Sequence, residues 1–346
     1  MSVVSATEDN VVDGGDACAE AGSFASKRRP EETWLLHHRA DRRQIGIVAV
    51  YWALLFSMWL VPACRNLVFL AFACYFSFLN AVVIHNHLHK GIFKSKTLNR
   101  VFRCVLSFGS LYPASANIAS HNIVHHHFDD DGQPDWADPY EYYQRNARFS
   151  WPLLNLVHFP NVVGPNTFNG VSRWATTTRQ KDFRRQYLIE QVFAFGLTGV
   201  LFALDFWTTL FFILIPQLWG ARGILRINLI QHEGCETKSE WNHSRNFVGR
   251  FFNWIMCNNG YHTIHHNRAG LHWSVLHEVH RKECAGRVDP ALDEPSMTWY
   301  LVRTFVLGMP RTIDRDAAKE REARIETVLA PRAERLAEAE AASLTE

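Results

Sequence analysis

The chain of 346 residues has no CxxC pair, and its seven cysteines are scattered at Cys18, Cys64, Cys74, Cys104, Cys235, Cys257 and Cys284. An odd, dispersed set excludes a disulfide scaffold, a zinc ribbon and a cysteine-ligated iron–sulfur module. An excess of one charge is also missing, since 36 Lys+Arg stand against 34 Asp+Glu. A nucleic-acid binder normally shows a strong basic surplus, so no nucleic-acid partner is expected. HExxH is absent, which speaks against a hydrolytic zinc enzyme. HPGG is absent too, so no haem-binding carrier domain is fused here. Nor is the chain low in complexity: 47% hydrophobic content excludes a disordered protein. Against these gaps stands histidine, present 18 times, with ten copies crowded into positions 85–89, 121–127 and 262–266.

Long charge-free stretches set the architecture. Residues 46–62 and 67–84 carry no ionisable charge, and only Arg65 lies between them. At about 1.5 Å rise per residue each approaches the roughly 30 Å of a bilayer core. Residues 191–220 hold a single charge, Asp205, and split there into two short spans, 191–204 and 206–220. The turns near 65 and 205 are poor in Lys and Arg. The opposite side receives Arg42, Arg43, Lys90, Lys94, Lys96, Arg173, Arg179, Lys181, Arg184 and Arg185. By the positive-inside rule both termini and every histidine cluster are expected on the cytoplasmic face. The expected fold is an all-α integral membrane protein, multi-pass, with four transmembrane helices in two hairpins. A cytoplasmic helical cap would hold a di-metal site. Residues 1–30 read as a disordered tail, 31–310 as the membrane domain, and 311–346 as a charged helical tail.

The clusters have metal-ligand spacing. His85 and His89 lie four apart, His121, His125 and His126 form HxxxHH, and His262, His265 and His266 form HxxHH. Helical positions three or four apart share a face, so each cluster can aim its imidazoles at one point. Neutral imidazole suits iron, zinc, copper or nickel, and eight nitrogens exceed one ion's needs, so two ions are expected. His87 points off the face shared by His85 and His89. His127 leaves a second register open, with His126 and His127 as the tandem pair. Asp129, Asp130, Asp131, Asp135 and Asp138 are candidate acceptors for ring N–H groups. A non-enzymatic metal transporter or receptor is a reading of another class. It would place ionisable residues mid-membrane, whereas the apolar runs are almost free of them.

These three boxes, within residues 45–280, resemble the membrane fatty acid desaturase family, and NNGYHTIHHNRAGLHW at 258–273 is similar to its bacterial members. The resemblance implies two non-haem Fe ions that use O2 and two electrons to dehydrogenate a fatty acyl chain or acyl lipid. Alkane hydroxylases and carotenoid hydroxylases or ketolases carry similar boxes, so hydroxylation is the alternative outcome. The family uses a further histidine preceded one turn earlier by a water-bound asparagine, and His232 and Asn228 in NLIQH match that pattern. It also implies an external electron donor of ferredoxin, rubredoxin or cytochrome b5 type, with residues 173–185 as a candidate docking platform. A bacterial inner membrane is favoured over the endoplasmic reticulum. His37, His38, His158 and His243 fall outside every box and are expected to be dispensable for metal.

Overall fold

The computed structural model describes residues 33–126, 135–137, 139, 142, 151–236 and 238–309. The proposed tails, His127, Asp129, Asp130, Asp131 and Asp138 lie outside the described residues.

Four helices are long and apolar enough to cross a membrane. They are α1 (Arg42–Leu60), preceded by a short turn at Arg39–Asp41; α2 (Leu67–His89); α6 (Lys181–Leu204); and α7 (Phe206–His232). Between the two hairpins run α3 (Lys96–Ser110), the π-helical α4 (Ile118–His125) and α5 (Pro152–Thr177). The expected all-α membrane architecture therefore holds. A minor departure is a two-residue parallel strand pair, Asn246–Phe247 with Asp293–Glu294.

Each hairpin turns tightly at a capped helix start. Asn66 accepts from Val68 N and Phe69 N, and Asp205 accepts from Thr208 N. Both satisfy amide groups that the first helical turn leaves open. Inside the bundle, Tyr51, Leu55 and Met58 of α1 pack with Ala73, Phe108, Leu201 and Ile213. The closest crossing is that of α2 and α7, where Ser77 Oγ bonds the Pro216 carbonyl and a Cβ at Gly220 would collide with the Ser77 backbone. Small residues at such crossings let membrane helices approach, as apolar burial gives no drive between them in lipid.

The helices outrun the charge-free stretches 46–62, 67–84, 191–204 and 206–220. α2 continues five residues past Ile84 and carries the first box on its last turns. α6 begins ten residues before 191, and Glu190, fully buried within it, has its polar partners in place. It accepts from Ser115 N (2.8 Å), Ser115 Oγ (2.7 Å) and Gln186 Nε2 (2.8 Å), with Arg103 Nε at 3.5 Å. α7 runs on to His232, its last residue.

Both hairpins being antiparallel, the start of α1, the end of α2, the start of α6 and the end of α7 share one end of the bundle. All the intervening polar segments leave from that end. The segments after α7 are tied to it: Arg43 lies 4.7 Å over the Trp254 ring, and Trp273 Nε1 donates to Asp41 across 2.9 Å.

Candidate metal centre

Three helices and the end of a fourth converge at this end of the bundle. α2 presents His85 and His89, one helical turn apart on one face. α4 winds as a π-helix, closed by the His126 amide donating to the His121 carbonyl. That i to i+5 turn puts His121 and His126 side by side, their Nε2 atoms 3.2 Å apart, and offsets His125. α7 ends on His232. Its last carbonyls are capped by Arg245, whose Nη1 donates to Ile230 O (2.7 Å) and Glu233 O (3.0 Å). The short helix His262–Asn267 supplies His262, His265 and His266. It is pinned by Asn246, whose Oδ1 accepts from Thr263 N (2.9 Å) and whose Nδ2 donates to Thr263 Oγ1 (3.0 Å).

The imidazoles sort into two tetrads. His85, His89, His121 and His265 form one, and His125, His232, His262 and His266 form the other; within each, the nitrogens lie within 4.8 Å of one another. The sorting crosses the boxes, because α4 sends His121 one way and His125 the other, while the third box divides between His265 and the pair His262–His266. His126 belongs to neither tetrad but stands between them. Its ring stacks on His266 at 4.4 Å and lies 5.0 Å from both His89 and His265.

Tautomers can be assigned from the outer partners. His125 Nδ1 donates to Asp135 Oδ2 (2.7 Å), and His232 Nδ1 donates to the His243 carbonyl (3.2 Å). Both rings therefore turn a bare Nε2 lone pair inward. His232 Nε2 faces His262 Nε2 at 2.9 Å, while the Nε2 atoms of His89 and His125 are buried without a hydrogen bond among the described residues. Inward lone pairs without protons to share are the donor set of a cation site. Desolvation, reinforced by neighbouring imidazoles, holds His121, His262, His265 and His266 well below the ordinary histidine pKa. Those rings are neutral at pH 7, the form that binds metal. The residues fit two divalent ions.

The remaining candidates separate clearly. Asn228 commits its Nδ2 to the Ala137 carbonyl at 2.9 Å, two residues from Asp135. His87 points away from both tetrads: it is buried against Phe102 and its Nδ1 accepts from Ile92 N. Of the five acidic candidates, Asp135 is the described one that meets a box histidine. His272 bonds Asp41 at 3.0 Å and stacks on His38 at 3.7 Å, a buried pair that anchors the end segments to the start of α1. His243, dismissed by the box pattern, lies 5.3 Å from the ring of His266. No periodicity marks it, since its neighbours come from elements far along the chain.

Four helices long and apolar enough to span a membrane and two partly buried histidine tetrads at one end of the bundle define a polytopic membrane protein with a candidate metal centre lined by histidines. The family model for fatty acid desaturases matches residues 57–294, more than half the chain, so the chain belongs to that family of oxidoreductases. Neither a curated protein nor a solved structure shows a significant match.

Proposed function

We propose that this protein desaturates a fatty acyl chain or acyl lipid with O2, using two Fe ions held by the histidine tetrads. The observation that carries this is the pair of tetrads beside the family match. The net reaction removes two hydrogens from adjacent methylenes; with O2, two electrons and two protons it gives a double bond and two waters. The iron pair, when bound, supplies the activation of O2 and of the C–H bond.

The chain's own residues hold and orient that pair. His85, His89, His121 and His265 hold one ion. His125, His232, His262 and His266 hold the other. His126, standing between the tetrads, would add a ninth imidazole, and the place of His125 in the second tetrad supports His125 with His126 as the tandem pair. Asn228 would offer its amide oxygen to the second ion through a water, its nitrogen being committed to Ala137. Neutral imidazoles leave the ions cationic and electrophilic, and partial burial limits the access of bulk water to the tetrads.

Electrons come from a separate soluble donor of ferredoxin, rubredoxin or cytochrome b5 type. Arg173, Arg179, Lys181, Arg184 and Arg185 are exposed at the end of α5 and the start of α6, a platform for an acidic carrier. That face is assigned to the cytoplasm by the positive-inside rule, in a bacterial inner membrane.

Two measurements test this together: iron per folded chain, and lipid profiles of a host expressing the protein. Two irons and a new unsaturated acyl chain are expected, both lost in His262→Ala and both kept in His87→Ala. Zinc in place of iron, or a hydroxylated product, would reject the desaturase reading.

A further inference from the structure

His243 sits in the segment after α7, eleven residues beyond His232, and belongs to no box. Three contacts fix it. Its carbonyl oxygen accepts from His232 Nδ1. Its ring packs against His266 of the second tetrad, centroids 5.3 Å apart at 59°. Its Nδ1 lies 3.1 Å from the carbonyls of both Ser239 and Glu240.

Those carbonyls decide the tautomer. A carbonyl only accepts, so Nδ1 carries the hydrogen, and in the neutral ring Nε2 is then a bare lone pair. That Nε2 is buried and makes no hydrogen bond among the described residues. A buried acceptor without a partner costs free energy, and beside a cluster of candidate metal ligands a water or ion is a natural partner for it. His87, also buried and outside the ligand set, has its Nδ1 occupied by Ile92 N.

The tetrad nearby is His125, His232, His262 and His266, and His243 is not among the four nitrogens grouped there. An ion held by the four is therefore not placed for direct bonding to His243, but a water bound to that ion would bridge the gap. We propose that His243 is a positioning residue of the second tetrad, its Nε2 accepting the hydrogen bond of a water bound to the ion held there. This rests on the two-metal reading. It gives one residue two contacts with the same ion's surroundings: the main chain orients the ligand His232, and the ring orients the water. A water with a fixed acceptor keeps one exchangeable position of that ion in register.

The test uses the full-length, metal-free protein reloaded with Co2+, whose absorption spectrum reports its coordination. Wild type is expected to bind two Co2+. His243→Phe keeps a ring of similar volume but no acceptor. It should hold one of the two ions about 10–100-fold more weakly, with a shifted absorption band, and leave the other unchanged. His243→Gln, which places an amide oxygen near the position of Nε2, should recover most of that affinity. If the Phe variant binds both ions as wild type does, the proposal fails. It also fails if both ions weaken equally and Gln does not rescue, since that is a packing effect. Fewer than two Co2+ in wild type would instead sink the two-metal reading itself. Should the Phe variant not fold, His243→Leu against His243→Gln makes the same comparison.

Discussion

His125 Nδ1 donates to Asp135 Oδ2 across 2.7 Å, with both side chains buried. The carboxylate fixes the tautomer and turns Nε2 toward His232 and His266. Asp135 is itself held by the Ala137 amide on Oδ1 (3.0 Å), and the Ala137 carbonyl receives Asn228 Nδ2. One short segment thus couples a candidate ligand on α4 to α7.

Asp135→Asn should therefore act on the metal more than on the fold. The amide still accepts, but the charge is lost. The second tetrad's ion should weaken about 10–100-fold, with the first tetrad unchanged. Metal content after a graded chelator wash checks this. Equal loss from both tetrads would show that Asp135 merely holds the fold together.

Gly220 meets Ser77 where α2 and α7 cross, and those two helices end in His89 and His232. Gly220→Ala should push the helices apart and cost about 1–3 kcal/mol of stability, as overpacking of a tight contact does. The separation should also lower metal content, because the tetrads draw nitrogens from both helices. Thermal melting in detergent and metal analysis would measure the two effects. The mutation leaves every ligand in place, so metal loss here would trace to helix spacing.

Much of this site was legible from spacing, and the reasons it was not fully so are physical. The pairs His85–His89 and His262–His266 lie one α-turn apart, so their shared face follows from the sequence. Which tetrad each histidine joins did not follow. It depends on the π-turn of α4, whose winding has no compositional signature, and on how four elements meet in space. The helices run beyond the charge-free stretches for a related reason. A charge-free window stops at Glu190, but its partners Arg103 and Ser115 come from the segment between the hairpins, at least 75 residues away. His243 shows the same limit, as its contact with His266 joins a loop to a helix 23 residues further on.

His38 gives the fold an acid-sensitive point apart from the tetrads. Buried and stacked on His272, it is held down to about 4, with desolvation the main cause. Its unfolded value is near 6.5. Because the folded pKa is the lower one, the unfolded chain binds this proton first. Stability is therefore full above about 6.5 and falls as pH drops from there toward about 4. The loss at the acid end is on the order of 3 kcal/mol, the scale of the drop from 6.5 to about 4. His38→Phe keeps a ring against His272 and removes the proton site. Denaturant unfolding from pH 7.5 to 4.5 should show a shallower decline in that variant. Parallel curves for the two proteins would assign the acid sensitivity to other groups.

Glu190 holds the turn that leads into α4. Its carboxylate takes hydrogen bonds from the amide and hydroxyl of Ser115, three residues before Ile118, and from Gln186, with Arg103 beside it. Removing it in Glu190→Ala strands those donors and leaves Arg103 without its buried counter-charge, at a cost of about 3–5 kcal/mol. Glu190→Gln keeps an acceptor for the Ser115 amide and should cost less, about 1–2 kcal/mol. Both losses should appear in the melting temperature. If Glu190 sets the position of α4, metal content should fall with the same ranking, because His121, His125 and His126 all ride on that helix. Ala and Gln variants that melt lower yet keep full metal would mean that α4 is held instead by the metal ions and by the Asp135 contact.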